Sequence, residues 1–133
     1  MNEAKYIGLD VHQATISVAV RDSDGKLVME AILETKAETI LQFVRGLRGS
    51  LHVTFEEGTC AAWLYALLKP HVTQVLVCDP RKNALEFYAA LVAKGIKPEM
   101  ARLTLARKIA AITLIVWKKG ARFDAEQLKQ QAA

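Results

Sequence analysis

Two carboxylates stand where chemistry could happen. Asp10 lies at the end of the run Tyr6-Ile7-Gly8-Leu9-Asp10, followed by Val11-His12, and Glu56 closes Leu51-His52-Val53-Thr54-Phe55. Each acid follows a stretch that reads as a buried strand, so each sits where a strand leaves its sheet. A carboxylate in that position is placed to hold a metal ion or to touch a phosphate. Hard oxygen donors are what Mg²⁺ or Mn²⁺ takes, and two such cations roughly 4 Å apart can clamp the attacking and leaving oxygens of a phosphodiester. Glu57, one residue on, is the alternate second acid. Taken alone, each carboxylate reads first as a solvated strand end. The metal reading gains only if the fold makes the two neighbours.

The elements around them are legible from period. After Asp10, Ile16, Val18 and Val20 alternate with Ser17, Ala19 and Arg21, the pattern of a strand with one face buried. Asp22-Ser23-Asp24-Gly25 is a tight-turn signal, and Lys26 to Glu34 gives a third strand. Thr35 to Arg48 has helical spacing, with Ile40, Leu41, Val44 and Leu47 on one face; Gly49 suits its C-cap. The strand ending in Glu56 follows. A second helix runs from about Cys60 to Lys69, with Trp63, Leu64, Leu67 and Leu68 toward the core, and Pro70 stops it. Val72 to Cys78 is almost continuously apolar, which predicts a parallel, central strand.

Three antiparallel strands, helix, strand, helix, strand is the order of the ribonuclease H-like architecture, a mixed five-stranded sheet with flanking helices. There the first and fourth strands lie side by side, so Asp10 and Glu56 become neighbours at one edge. Beyond Asn83 the character changes. Ala84 to Ala93 reads as a short helix broken near Gly95. Pro98-Glu99 opens a longer one, since Pro suits a first helical turn and Glu complements the helix dipole. It runs to about Lys119, with Ala101, Leu105, Ile109, Ile112 and Val116 in one stripe and Leu103, Ala110, Leu114 and Trp117 widening it. So broad an apolar face needs a partner, either the sheet or another chain.

The 133 residues suit one domain with a real core. The opening residues lead straight into a strand rather than a signal peptide. The longest apolar run, Ile109 to Trp117, is too short to span a bilayer. Cys60 and Cys78 show no CxxC spacing and read as reduced thiols, so the expectation is a cytoplasmic protein. Charge is unevenly divided: residues 1–80 carry a net −3 and residues 81–133 a net +7, within a total of +4. A basic second half suggests phosphate backbones, with a solvated helix face as the plain alternative.

Four stretches in order carry a family likeness: Tyr6 to His12, Thr54-Phe55-Glu56-Glu57-Gly58-Thr59 with the Trp63-Leu64-Tyr65 helix, Val77-Cys78-Asp79-Pro80-Arg81-Lys82-Asn83, and Lys97 to Asp124. Together they resemble the DEDD transposases of the insertion-sequence 110 family, whose catalytic domain is similar to the Holliday-junction resolvase RuvC. The resemblance implies a RuvC-like N-terminal domain, partial, over 1–83 and a C-terminal helical segment over 84–133. It implies Asp10 as the first D and Glu56, or Glu57, as the E, both as catalytic and metal-holding residues. It further implies weakly held Mg²⁺ or Mn²⁺, DNA as substrate in metal-dependent strand cleavage and joining, and a structured guide RNA as partner. Arg81, Lys82, Asn83, Arg107, Lys108, Lys118 and Lys119 would contact nucleic acid.

The chain departs from the family pattern in two places. The Lys-x-Asp-x-x-Asp-Ala stretch that supplies the last two acids is missing, Glu86 being the only acid between Asn83 and Glu99, and no Ser follows Ser50 to serve as nucleophile. The expectation is an internally deleted, catalytically impaired transposase, alone as a homo-oligomer or associated with the full-length protein, without membrane contact. A rival is a non-catalytic nucleic-acid-binding or oligomerising remnant, whose binding would weaken steeply with salt. A third reading is an actin-like or sugar-kinase ATPase, because Gly8 to Thr15 imitates the Gly-x-Asp-x-Gly-x-Thr hairpin. His12 stands there where phosphate approach needs Gly. His12 otherwise reads as a loop histidine, His52 and His71 as surface residues, Trp63 and Trp117 as core or interface aromatics, and Arg102 as solvated helix charge.

Overall fold

The computed structural model describes residues 3–56, 58–78, 90 and 92–119. Strands β1 (Ala4–Val11), β2 (Thr15–Arg21) and β3 (Leu27–Glu34) are followed by helix α1 (Ala37–Arg45), β4 (Ser50–Glu56), helix α2 (Ala61–Leu68), a 3₁₀ turn (Lys69–His71), β5 (Gln74–Cys78) and helix α3 (Pro98–Lys119). The result is an α/β fold with a five-stranded mixed sheet in the order β3-β2-β1-β4-β5. β1 pairs antiparallel with β2 and parallel with β4; β2 pairs antiparallel with β3, and β4 parallel with β5. The expected helix over 84–93 lies mostly outside the described residues; Ala90, Val92 and Ala93 at its end are helical.

Period-2 alternation divides the sheet between two layers. Ile7, Leu9, Ile16, Val18, Val20, Val53 and Phe55 point to one face, where Ile40 and Val44 of α1 and Ala61, Leu64 and Leu68 of α2 complete the main core. On the opposite face Ala19 packs with Ala106 and Ala110 of α3. The first part of the long apolar stripe therefore finds its partner in the sheet: Ala101, Leu105, Ala106, Ile109 and Ala110 are all buried, while the side chains of Ile112, Val116 and Trp117 lie outside the description. Burying one side chain the size of Ile109 contributes about 2 kcal/mol. Thr113, also buried, satisfies its hydroxyl by donating to the carbonyl of Ile109 at 2.7 Å.

The approach of α3 is set by Gly8. A Cβ built there would lie 2.3 Å from the carbonyl oxygen of Ala106 and 2.4 Å from the amide nitrogen of Ala110. Helix backbone thus occupies the space any other residue would fill. Two polar ties flank the contact. Arg21 on β2 donates through Nε to the carbonyl of Arg107 at 3.2 Å and through Nη1 to that of Gly25 at 2.8 Å. Arg107 in turn grips both carboxylate oxygens of Glu30 on β3. Leu114 lies 3.5 Å from the position of a Gly25 Cβ, so the later turns of α3 reach the β2–β3 turn while its first turns reach the opposite end of the sheet.

Several sequence expectations need correction. Among the described residues β5 is parallel but lies at the edge of the sheet, with a neighbour on one side alone, and Val75, Leu76 and Val77 are only half-buried. Trp63 does not face the core but is 43 % exposed, because the buried row of α2 is Ala61, Leu64 and Leu68. α1 ends at Arg45 with Gly46 in right-handed helical geometry as its cap. Gly49 does take positive φ (91°), four residues beyond the helix, where a Cβ would collide with the backbone of Glu3. No helix among the described residues is long and apolar enough to cross a membrane.

Gly8→Ala forces a methyl group into helix backbone rather than into a movable side chain. The variant is expected to lose about 3 kcal/mol of unfolding free energy, measured by urea denaturation. Wild-type stability in that variant contradicts the close packing of α3 on β1.

Candidate functional site

Parallel pairing of β1 with β4 ends at Leu9 opposite Phe55, and the next residue on each strand is an acid. Adjacent strands run about 4.8 Å apart, so Asp10 and Glu56 are backbone neighbours. Since Leu9 and Phe55 face the main core, Asp10 and Glu56 face the α3 side. Both line one cleft of about 260 Å³, shared with His12 and Gln13 after β1 and with Gly58, Thr59 and Cys60 before α2. The fold brings together the two acids that the sequence singled out.

Asp10 is held firmly. Its side chain is 13 % exposed, and Nε2 of His12 lies 3.0 Å from its Oδ2. The His12 loop is itself pinned: its amide donates to the carbonyl of Thr15 at 3.0 Å, and the Thr35 hydroxyl donates to its carbonyl at 2.8 Å. Burial pushes the Asp10 carboxyl above the usual carboxylate range, against the opposing pull of His12 and of the Arg102 charge. Ser17, opposite Asp10 on β2, is buried, as is Thr54, two residues before Glu56 on the same face. The Thr54 hydroxyl oxygen has no hydrogen-bond partner among the described residues.

Arg102 is the functional candidate that sequence reasoning missed. It is half-buried rather than a solvated helix charge, its Nε has no hydrogen-bond partner among the described residues, and its charge favours the ionised form of Asp10. The placement follows from the helix–strand contact. Ala106 lies over Gly8. Four residues back along α3 is about 6 Å, and two residues forward along β1 is about 6.6 Å. Arg102 therefore comes over Asp10. The signal was present in spacing, because Arg102, Ala106, Ala110 and Thr113 fall on one helical face.

The other predicted contacts are dispersed. Glu57, Arg81, Lys82 and Asn83 lie outside the described residues, and Lys118 and Lys119 close α3 with side chains that are not described. Arg107 is neutralised in place by Glu30, at the level of Arg21 and away from Asp10; Lys108 is half-buried. His52 is not a loose surface residue, because its ring stacks on Tyr6 at 5.1 Å and its Nδ1 lies 2.9 Å from Gln74 Oε1. His71 is exposed, as read.

No protein-family model matches the chain, and no curated protein matches it at significance. As donors for Mg²⁺ or Mn²⁺, Asp10 and Glu56 fit as two hard carboxylates on one face. Among the described residues no group of three or more His, Cys, Asp or Glu side chains is arranged to hold a metal. The cleft thus offers two carboxylates, those of Asp10 and Glu56, on one face.

A raised carboxyl pKa means that the folded state holds the Asp10 proton more tightly than the unfolded state does. Its contribution to stability is present below roughly pH 4 and is lost as pH rises through the folded value. Asp10→Asn removes that dependence. In EDTA, the stability of Asp10→Asn relative to wild type is expected to increase between pH 3 and pH 7, read from denaturant midpoints. A difference that shrinks with pH contradicts the buried, proton-retaining environment.

Proposed function

We propose that this chain is a relative of the insertion-sequence 110 family DEDD transposases. In this reading its sheet is RuvC-like and ribonuclease H-like, and it carries the first two acids of a metal-dependent DNA strand-cleavage site in a catalytically impaired form. The observation that carries the reading is the meeting of Asp10 and Glu56 at adjacent parallel strand ends on one face. The strand order supports it, since the third, second, first, fourth and fifth strands follow one another across the sheet.

Asp10 and Glu56 would hold Mg²⁺ or Mn²⁺, which when bound activates the attacking oxygen and stabilises charge on a phosphodiester. The chain's own residues prepare that edge. His12 fixes the Asp10 carboxylate in one orientation, and the burial of Asp10 excludes bulk water from that side. The missing pair of family acids leaves the ion with few protein donors, so it leans on substrate phosphates. DNA, a structured guide RNA and a second or full-length transposase subunit are the partners of this reading, with Arg81, Lys82 and Asn83 following β5 as backbone contacts. His12 against Asp10 speaks against the ATPase alternative, because an imidazole stands where the hairpin backbone would meet phosphate.

Titration calorimetry with Mn²⁺ tests the assignment. Wild type is expected to bind weakly at one site, and Asp10→Asn and Glu56→Gln are each expected to weaken that binding by about tenfold or more. Binding heat that persists unchanged in both variants moves the ion elsewhere and removes the mechanism.

A further inference from the structure

We propose that Arg102 is a built-in counter-cation of the Asp10–Glu56 edge: α3 holds its positive charge over Asp10, so a divalent ion binds at that edge against it. The inference rests on the reading of Asp10 and Glu56 as metal-holding acids and adds the element that controls access to them.

Three observations converge. First, helix backbone sits on Gly8, with the Ala106 carbonyl and Ala110 amide in the space of a Cβ, which leaves α3 no freedom to stand further off without losing that packing. Second, the pitch of the helix and the rise of the strand bring residue 102 above Asp10, on the face that Asp10 shares with Glu56. Third, Arg102 is half-buried, and its Nε is buried without a hydrogen-bond partner among the described residues. A helix surface offers easier places for a cation, since a guanidinium loses hydration on burial unless an opposite charge compensates it. The compensating charge here is the Asp10 carboxylate on the strand beneath.

The electrostatics are reciprocal. Asp10 and Glu56 side by side repel one another when both are ionised, and positive charge nearby, that of Arg102 or of a divalent cation among it, relieves that repulsion. A bound ion would face the positive charge of Arg102 across the helix–sheet contact, which weakens its binding. Arg102 is held by the whole α3–sheet contact and is therefore always present at high local concentration. A metal succeeds when Arg102 swings aside, for example toward a nucleic-acid phosphate that offers its guanidinium a bidentate partner.

The test is Mn²⁺ binding to the full chain, followed by loss of the free-ion electron paramagnetic resonance signal. Compared are wild type, Arg102→Gln, Arg102→Met and Arg102→Lys, with Asp10→Asn added to the first two Arg102 variants. Met keeps an apolar stem against the sheet, so a folding defect in one neutral variant does not end the test. The expected result is binding about tenfold tighter in the neutral variants than in wild type, near-wild-type binding in Arg102→Lys, and loss of the gain when Asp10→Asn is added. Equal binding in wild type and neutral variants, abolished by Asp10→Asn, overturns the role of Arg102 and leaves the metal site standing. Absence of binding in all of them overturns both. A gain that survives Asp10→Asn, or that Arg102→Lys shows equally, overturns the counter-cation by placing the ion elsewhere or by removing charge as the cause.

Discussion

The contact of α3 with β1 at Gly8 is the constraint on which the rest of the structure depends. It is a backbone-on-backbone approach, possible only because β1 has no side chain there and α3 presents Ala106 and Ala110. It covers the second face of the sheet, which would otherwise expose Gly8, Ala19 and Thr54 to solvent. It also fixes the phase and height of the helix. The identity of the residue over the acidic edge is thus decided several residues away from it.

Burying an acid at that edge has a consequence that the neighbours answer. Loss of hydration disfavours the charged form of Asp10, and two opposing groups arrive from different parts of the fold. His12 comes from the β1–β2 loop, held in place by Thr15 and Thr35. Arg102 comes from α3. Neither is a sequence neighbour of the other, and each would be an ordinary surface residue on its own element. Together they turn a pair of strand-end carboxylates into a compensated cluster beside a cleft.

Much of this was legible in the sequence, for identifiable reasons. The three-strand meander is written in alternation from Tyr6 to Glu34, and the Asp22–Gly25 turn is closed by Asp22 Oδ1 accepting from Asp24 and Lys26. The adjacency of Asp10 and Glu56 followed from element order. What failed lacked a periodic signal. α2 is apolar nearly all round, so its sequence carries no phase, and Trp63 was assigned to the wrong side. The apolar run of β5 says nothing about whether a sixth strand covers its far edge. Arg102 was misjudged because charge on a helix is solvated by default; only the partner strand of Ala106 reveals what lies beneath it.

The central claim is that the charges of Asp10 and Arg102 are coupled across the helix–sheet interface. A double-mutant cycle in metal-free buffer at neutral pH measures this most directly, using Asp10→Asn, Arg102→Gln and the combination, with unfolding free energies from urea denaturation. The account predicts a favourable coupling of about 1 kcal/mol between the two sites. Additive effects within the error of the cycle contradict it, since two groups that do not interact leave no coupling energy.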